Sequence, residues 1–362
     1  MSAQRVMIDP EQFRKVFGGD LGDVFLLVTS PGVRAGLQVA TGTTVPVQEF
    51  AWTGPDSRQG LIAEMAALRA AGKRGSVLWI ADDEFVHFDD EDLRDMRLGA
   101  FSSFSAPFSE ETLAGSVRIV SEVDYERELR IEETFLTLLD QADDMLFLGH
   151  EFGTEAVFRH QYSEHWFSLH GPLQPGQQVV LPTGELSSLV NASGEFEDHT
   201  HFSLDGDITL QGAPIVHRGG HETSLAETER VYQDLAAMAD EPAVITVTDG
   251  RITAVRPARP GATRFAEGLE RLLAHDDRYA KLHEIGFGTN AACTPLLPGN
   301  YFANERHPGV HLGLGLGTFT QFHVDLMSTA IDVVMRGVDG RDVELFPALG
   351  LTAGHALSPA AA

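Results

Sequence analysis

H-E-I-G-F-G-T-N (283–290), N-E-R-H-P-G-V-H-L-G-L-G-L-G (304–317) and H-V-D (323–325) set the reading of this chain. In them apolar residues alternate with glycine, histidine or a carboxylate, the period of two that marks strands. Residues two apart in a strand share a face, so His323 and Asp325 present an imidazole and a carboxylate together, about 6 to 7 Å apart along the chain. Such a pair can hold one metal ion, and it also arises as a surface histidine beside a solvated aspartate. His311 lies among glycines that permit close backbone approach, with Val310 and Leu312 expected to face a core. A histidine there needs a partner, either a hydrogen bond or a metal. Glu284 lies between Leu282 and Ile285 in another strand of buried character, and Glu305 lies just upstream of His311. A buried carboxylate without a counter-charge costs several kcal/mol, so a cation is expected near Glu284. Glu185 closes V-V-L-P-T-G-E (179–185), an apolar strand running into a turn, and from that strand end it can reach the same cavity.

The chain has 362 residues, 43% of them hydrophobic, enough for a sizeable core and for two domains. Its formal charge of -27 argues against a nucleic-acid partner, because phosphate binding needs a basic surface and the 26 lysines and arginines are scattered. The single cysteine, Cys293, excludes an intrachain disulfide and fits a reducing compartment, with the cytoplasm as the expected location. Residues 1–15 lack the apolar stretch of a signal peptide, and no later run is long and apolar enough for a membrane helix, so no membrane association is expected.

Residues up to about 150 alternate short apolar runs (24–28, 76–81, 145–148) with helical periodicity (61–71, 125–139), the pattern of an α/β domain. Turn formers gather at G-P-L-Q-P-G (171–176), and hairpin signals follow, such as 244–255 folded about Asp249-Gly250. Two helical stretches, 222–239 and 263–274, accompany those strands. The expected architecture is an α/β amino-terminal domain (1–165) and a β-rich α+β, metal-binding carboxyl-terminal domain (166–362).

Taken in order, L-P-T-G-E (181–185), E-I-G-F-G-T-N (284–290), the Glu305–His311 stretch with H-L-G-L-G, and H-V-D (323–325) resemble the signature of the M29 metallopeptidases, the aminopeptidase T family. The resemblance covers about residues 175 to 330, and the amino-terminal domain only in outline. It implies a homodimer and a two-metal site of Glu185, Glu284, Glu305, His311, His323 and Asp325. Four carboxylates offset two divalent ions, and mixed oxygen and imidazole donors suit Zn, Co or Mn. The implied reaction is hydrolysis of a peptide or small amide by metal-bound water, with Glu284 or Glu305 as the catalytic proton carrier. Three places depart from the family pattern. Thr318, Phe319 and Thr320 stand where the family carries a tyrosine, only 11 residues separate His311 from His323, and Leu186-Ser187-Ser188-Leu189 replaces an aromatic-small-Pro turn.

Two other functions stay open. Dihydroxypyridine ring-cleaving dioxygenases resemble the same family and hold one Fe(II) by two histidines and an aspartate; here His323 and Asp325 match, with His311 or His283 as the further ligand. A divergent member can also serve as a peptide-binding accessory protein of a biosynthetic pathway, since function resides in sites rather than folds. Outside the motifs, His199 and His201 sit two apart and would share a strand face, lining a cleft or forming an exposed polar edge. His150 follows the run 145–148, where ligands bind at the carboxyl ends of open α/β strands. These three histidines are candidate substrate contacts.

Overall fold

Val24–Thr29 and Gly75–Ile80 are buried at every position, the mark of parallel strands covered on both faces. In this computed structural model, which describes residues 5–82, 87–102, 105–160, 165–190, 196–197, 199–219, 223–338 and 340–352, they lie in a five-stranded parallel sheet. Its order is Gln178–Leu181, Arg97–Phe101, Gly75–Ile80, Val24–Thr29, Val47–Ala51. The helix Arg58–Ala70 sends Leu61, Met65 and Leu68 into a core with Val77, Leu98 and the edge-to-face pair Trp52 and Trp79. The helix Glu110–Glu122 begins at a capping box in which the Ser109 side chain accepts from the Thr112 amide. These elements belong to the first of two compact units, Met1–Leu129 with Leu169–Gly184 and Tyr301–Ala303.

The second unit comprises Arg130–Ser168, Glu185–Asn300 and Asn304–Ala362. It contains two antiparallel sheets. One has seven strands in the order Arg251–Pro257, Ala243–Thr248, Ser203–Leu210, Thr154–Arg159, Asp144–Gly149, Asp332–Val338, Arg341–Glu344. The other has six: Pro214–Arg218, Phe322–Ser328, Gly309–Leu314, Leu282–Gly288, Glu185–Leu189, His165–Ser168. One apolar cluster joins them, with Phe147, Phe158, Ile208 and Ile245 from the first sheet and Leu186, Ile285, Phe287, Leu312 and Val324 from the second. The hairpin about Asp249-Gly250 forms as expected, both residues taking the positive φ its turn requires (47° and 68°). Of the stretch 222–239, Leu225–Leu235 is α-helical and Ala236–Ala239 continues as a 3-10 turn, while Glu222 lies outside the described residues. Arg264–His275 forms the second helix.

The chain is thus an α+β fold with several sheets. A single cut at 165/166 does not describe its division. Asp144–Gly149, grouped by its apolar composition with the amino-terminal strands, alternates half-buried with buried positions and pairs antiparallel with Thr154–Arg159 and Asp332–Val338. Residues 169–184 return to the first unit, where Gln178–Leu181 closes the edge of the parallel sheet. No helix among the described residues is long and apolar enough to cross a membrane.

Phe287 is the hub of the second unit's aromatic packing, its ring 5.1 Å from Phe135, 6.1 Å from Trp166 and 6.4 Å from Phe147. Phe287→Ala is expected to lower the unfolding free energy by about 3–5 kcal/mol in denaturant titrations, whereas a loss under about 1 kcal/mol would contradict this packing.

Candidate metal centre

Strand alternation gives the six-stranded sheet one apolar and one chemical face. Val324, Leu312, Ile285 and Leu186 point into the core; His217, His323, Asp325, His311, Glu284 and Glu185 occupy the positions between the core residues. Register then aligns them: His217 stands opposite His323, Gly313 opposite Asp325, Gly286 opposite His311 and Glu185 opposite Gly288. The glycines are spacers. A Cβ on Gly313 would lie 2.6 Å from Glu284 Cβ and 2.8 Å from His323 Cε1, and one on Gly286 would overlap the His311 imidazole. Gly288 likewise leaves room for the backbone carbonyls of Glu305 and His307, and the short 3-10 helix Phe302–Arg306 delivers Glu305 and Arg306.

The side chains close a circuit in which every acid lies between two bases. Glu185 Oε1 is 3.3 Å from His311 Nε2, which is 3.6 Å from Glu284 Oε1. Glu284 Oε2 is 3.2 Å from His323 Nε2, itself 3.2 Å from Asp325 Oδ2. That oxygen is 3.2 Å from His217 Nε2, which shares a 2.6 Å hydrogen bond with Glu305 Oε1. Arg306 Nη1 donates to Glu305 Oε2 at 2.9 Å and to Glu185 Oε2, completing the loop. Arg306 is fully buried, and Asp325 and His311 are within 2% of it. His323, at 16%, is the most exposed member.

The donors fit a metal. Three groups bring one atom from each member within 4.8 Å of the others: Glu185, Glu284 and His311; Glu284, His323 and Asp325; His217, Glu305 and Asp325. Both Asp325 oxygens, though buried, make no hydrogen bond of acceptable geometry among the described residues, as expected of ligand atoms aimed at a cation, and the His311 ring nitrogens make none either. His323 Nδ1 donates to the Gly315 carbonyl at 2.6 Å, which fixes its tautomer and turns Nε2 toward Glu284 and Asp325.

The members of the circuit shift one another's proton affinities. Burial works against a charge on His323, yet Asp325 and Glu284 hold its pKa well above the ordinary value. Burial likewise opposes charge on His311, and Glu284 and Asp325 raise it. Burial would raise Glu284, but His311 and His323 bring it down to about 2; against the same burial, His323 and His217 hold Asp325 well below the carboxylate range. Glu305 goes the other way, pushed well up by burial and by the Asp325 charge, while burial lowers its partner His217.

All six expected ligands, Glu185, Glu284, Glu305, His311, His323 and Asp325, converge here. His217 and Arg306 join them without having been singled out in the sequence. Arg306 had a signal in its adjacency to Glu305, whereas His217 lies 106 residues before His323 and is brought in by strand pairing alone. Other candidates lie elsewhere. His283 points to the opposite side from Glu284, packed against Phe196 and Phe319 with its pKa lowered by burial to about 3, and belongs to none of the ligand groups among the described residues. His150 is 70% exposed, pairs with Asp332 at 3.2 Å and follows an antiparallel strand, not a parallel one. His199 and His201 belong to no strand and are exposed. None of the three contributes to a ligand group among the described residues.

A family model described as crocagin biosynthetic protein CgnE/B matches residues 89–336. No curated protein matches. Among solved structures, the chain is similar in fold to 2,5-dihydroxypyridine dioxygenase from Pseudomonas putida KT2440, with 17% identity over 96% of each chain and a TM-score of 0.52. Wild-type AmpT from Thermus thermophilus aligns over 92% of this chain and 97% of its own at 14% identity, with a TM-score of 0.44.

Two outcomes test the centre. Gly313→Ala is expected to cost about 1–3 kcal/mol by overpacking and to abolish metal uptake by displacing His323; unchanged uptake would refute the spacer role. The raised imidazoles give the ion-free chain stability that is complete below about pH 6.5 and lost as pH rises through their folded values. A metal needs them neutral, so its binding at pH 7 is expected to release protons and to tighten from pH 6 to 8. Calorimetry in buffers of different ionisation enthalpy reads this directly, and binding without proton release would contradict it.

Proposed function

The chain belongs to the crocagin biosynthetic protein CgnE/B family, and on the chemistry of its buried donors we propose that it is a divalent-metal-dependent hydrolase acting on a peptide or amino-acid-derived amide. The observation that carries this reading is the set of converging donors, four carboxylates and three imidazoles on one buried circuit with ligand atoms left without hydrogen bonds. Oxygen-rich, mixed N/O donors suit Zn, Co or Mn. When bound, such an ion supplies a water acidic enough to attack near neutral pH and polarises the scissile carbonyl.

The protein's own groups do the rest. Glu305, hydrogen-bonded to His217 and with its basicity raised by burial and the Asp325 charge, is the group suited to take, as a carboxylate, the proton of the attacking water and to pass it to the leaving amine as the C–N bond breaks. Arg306, donating to the other Glu305 oxygen, orients that carboxyl. Burial of the circuit keeps bulk water from competing.

A second reading is a mononuclear Fe(II) dioxygenase. Its support is that His217 and His323 each place Nε2 3.2 Å from one Asp325 oxygen, giving two imidazoles and a carboxylate, on a fold similar to a dihydroxypyridine dioxygenase. His217 then takes the part expected of His311 or His283.

Metal-reconstituted protein incubated with unblocked di- and tripeptides is expected to release amino acids detectable by mass spectrometry. Glu305→Gln should retain metal and lose about 10²-fold or more in rate. Oxygen uptake with dihydroxypyridine and Fe(II) would instead select the dioxygenase, and peptide binding without turnover would select an accessory protein of the biosynthetic pathway.

A further inference from the structure

Of the four bases in the circuit, three are histidines and each centres one ligand group; the fourth is a guanidinium. Arg306 Nη1 contacts both Glu185 and Glu305, the place a cation bridging two carboxylates would take. Unlike an imidazole, a guanidinium cannot give up its charge to make room for a metal, and this one is wholly buried.

We infer that Arg306 serves as a built-in cation between Glu185 and Glu305, so that the centre holds one divalent ion, at Glu284, His323 and Asp325, rather than two. Resting on the proposed metal reading, this assigns the ion's number and place. The choice among the three groups follows from the circuit. Glu185 belongs to the first and Glu305 to the third, and each is committed through one oxygen to Arg306. Among the described residues, Glu284, His323 and Asp325 form the group that contains neither Glu185 nor Glu305. That group also contains the most solvent-accessible imidazole, through which an ion enters, and the one whose tautomer is fixed by a backbone carbonyl. A second divalent ion between Glu185 and Glu305 would stand against a fixed positive charge where little water screens it.

The test is metal stoichiometry, independent of any turnover. Chelator-stripped full-length chain is saturated with Mn2+ or Zn2+, desalted, and its ions counted by plasma mass spectrometry and native mass spectrometry. The wild type is expected to retain one ion per chain and Arg306→Met two, with Arg306→Lys returning to one. Two ions in the wild type, or one in both wild type and Arg306→Met, would overturn the inference while leaving a metal site standing. No ion in either would instead sink the metal reading beneath it. Should Arg306→Met fail to fold by thermal melting, Glu185→Gln decides. Kd is expected to stay within about threefold of wild type, against about 100-fold weakening in Asp325→Asn, and equal weakening in the two would overturn the assignment.

Discussion

The buried circuit of four acids and four bases is the constraint around which the second unit is organised. An isolated carboxylate in that setting is prohibitively costly, and removing one partner of a buried pair is strongly destabilising. Here every acid has two basic neighbours and every base two acidic ones, from Glu185 through His311, Glu284, His323, Asp325, His217, Glu305 and Arg306 back to Glu185.

An antiparallel sheet is well suited to present it. Alternation gives one face to the apolar cluster around Phe287 and the other to the ionisable groups, so the same strands anchor the core and aim the ligands. Close strand spacing leaves little room beside the His311 ring and between Glu284 and His323. Gly286 and Gly313 meet that demand, and Gly288 lets the Glu305 backbone pass close to the sheet. The glycine punctuation of these strands is therefore the steric counterpart of the polar face. Arg306 adds a charge that no change of pH within the physiological range removes, and it sets the circuit apart from one closed by histidines alone.

Much of this was legible in the sequence. Period-two alternation in 284–290, 309–314 and 323–325, the glycines between, and the hairpin at Asp249-Gly250 depend on local geometry alone. They placed Glu284, His311, His323 and Asp325 on strands, and the order of motifs added Glu185 and Glu305. Misreadings came where local pattern was ambiguous. M-L-F-L at 145–148 has the composition of a buried parallel strand, yet its neighbours in space make it an antiparallel one. His199 and His201 have strand spacing without a strand, and His283 shares a motif with Glu284 but faces the other way.

The sequence by itself thus determined the alternating strands, the glycine spacers and the ligand types, because these follow from the two-residue repeat of an extended backbone and from side-chain chemistry. Only the tertiary structure decided how the circuit closes. His217 reaches Asp325 and Glu305 through pairing with a strand more than a hundred residues away, and Arg306 turns from its neighbour Glu305 toward Glu185, which is 121 positions distant. Cross-strand register and burial set those contacts, and neither is encoded in local spacing.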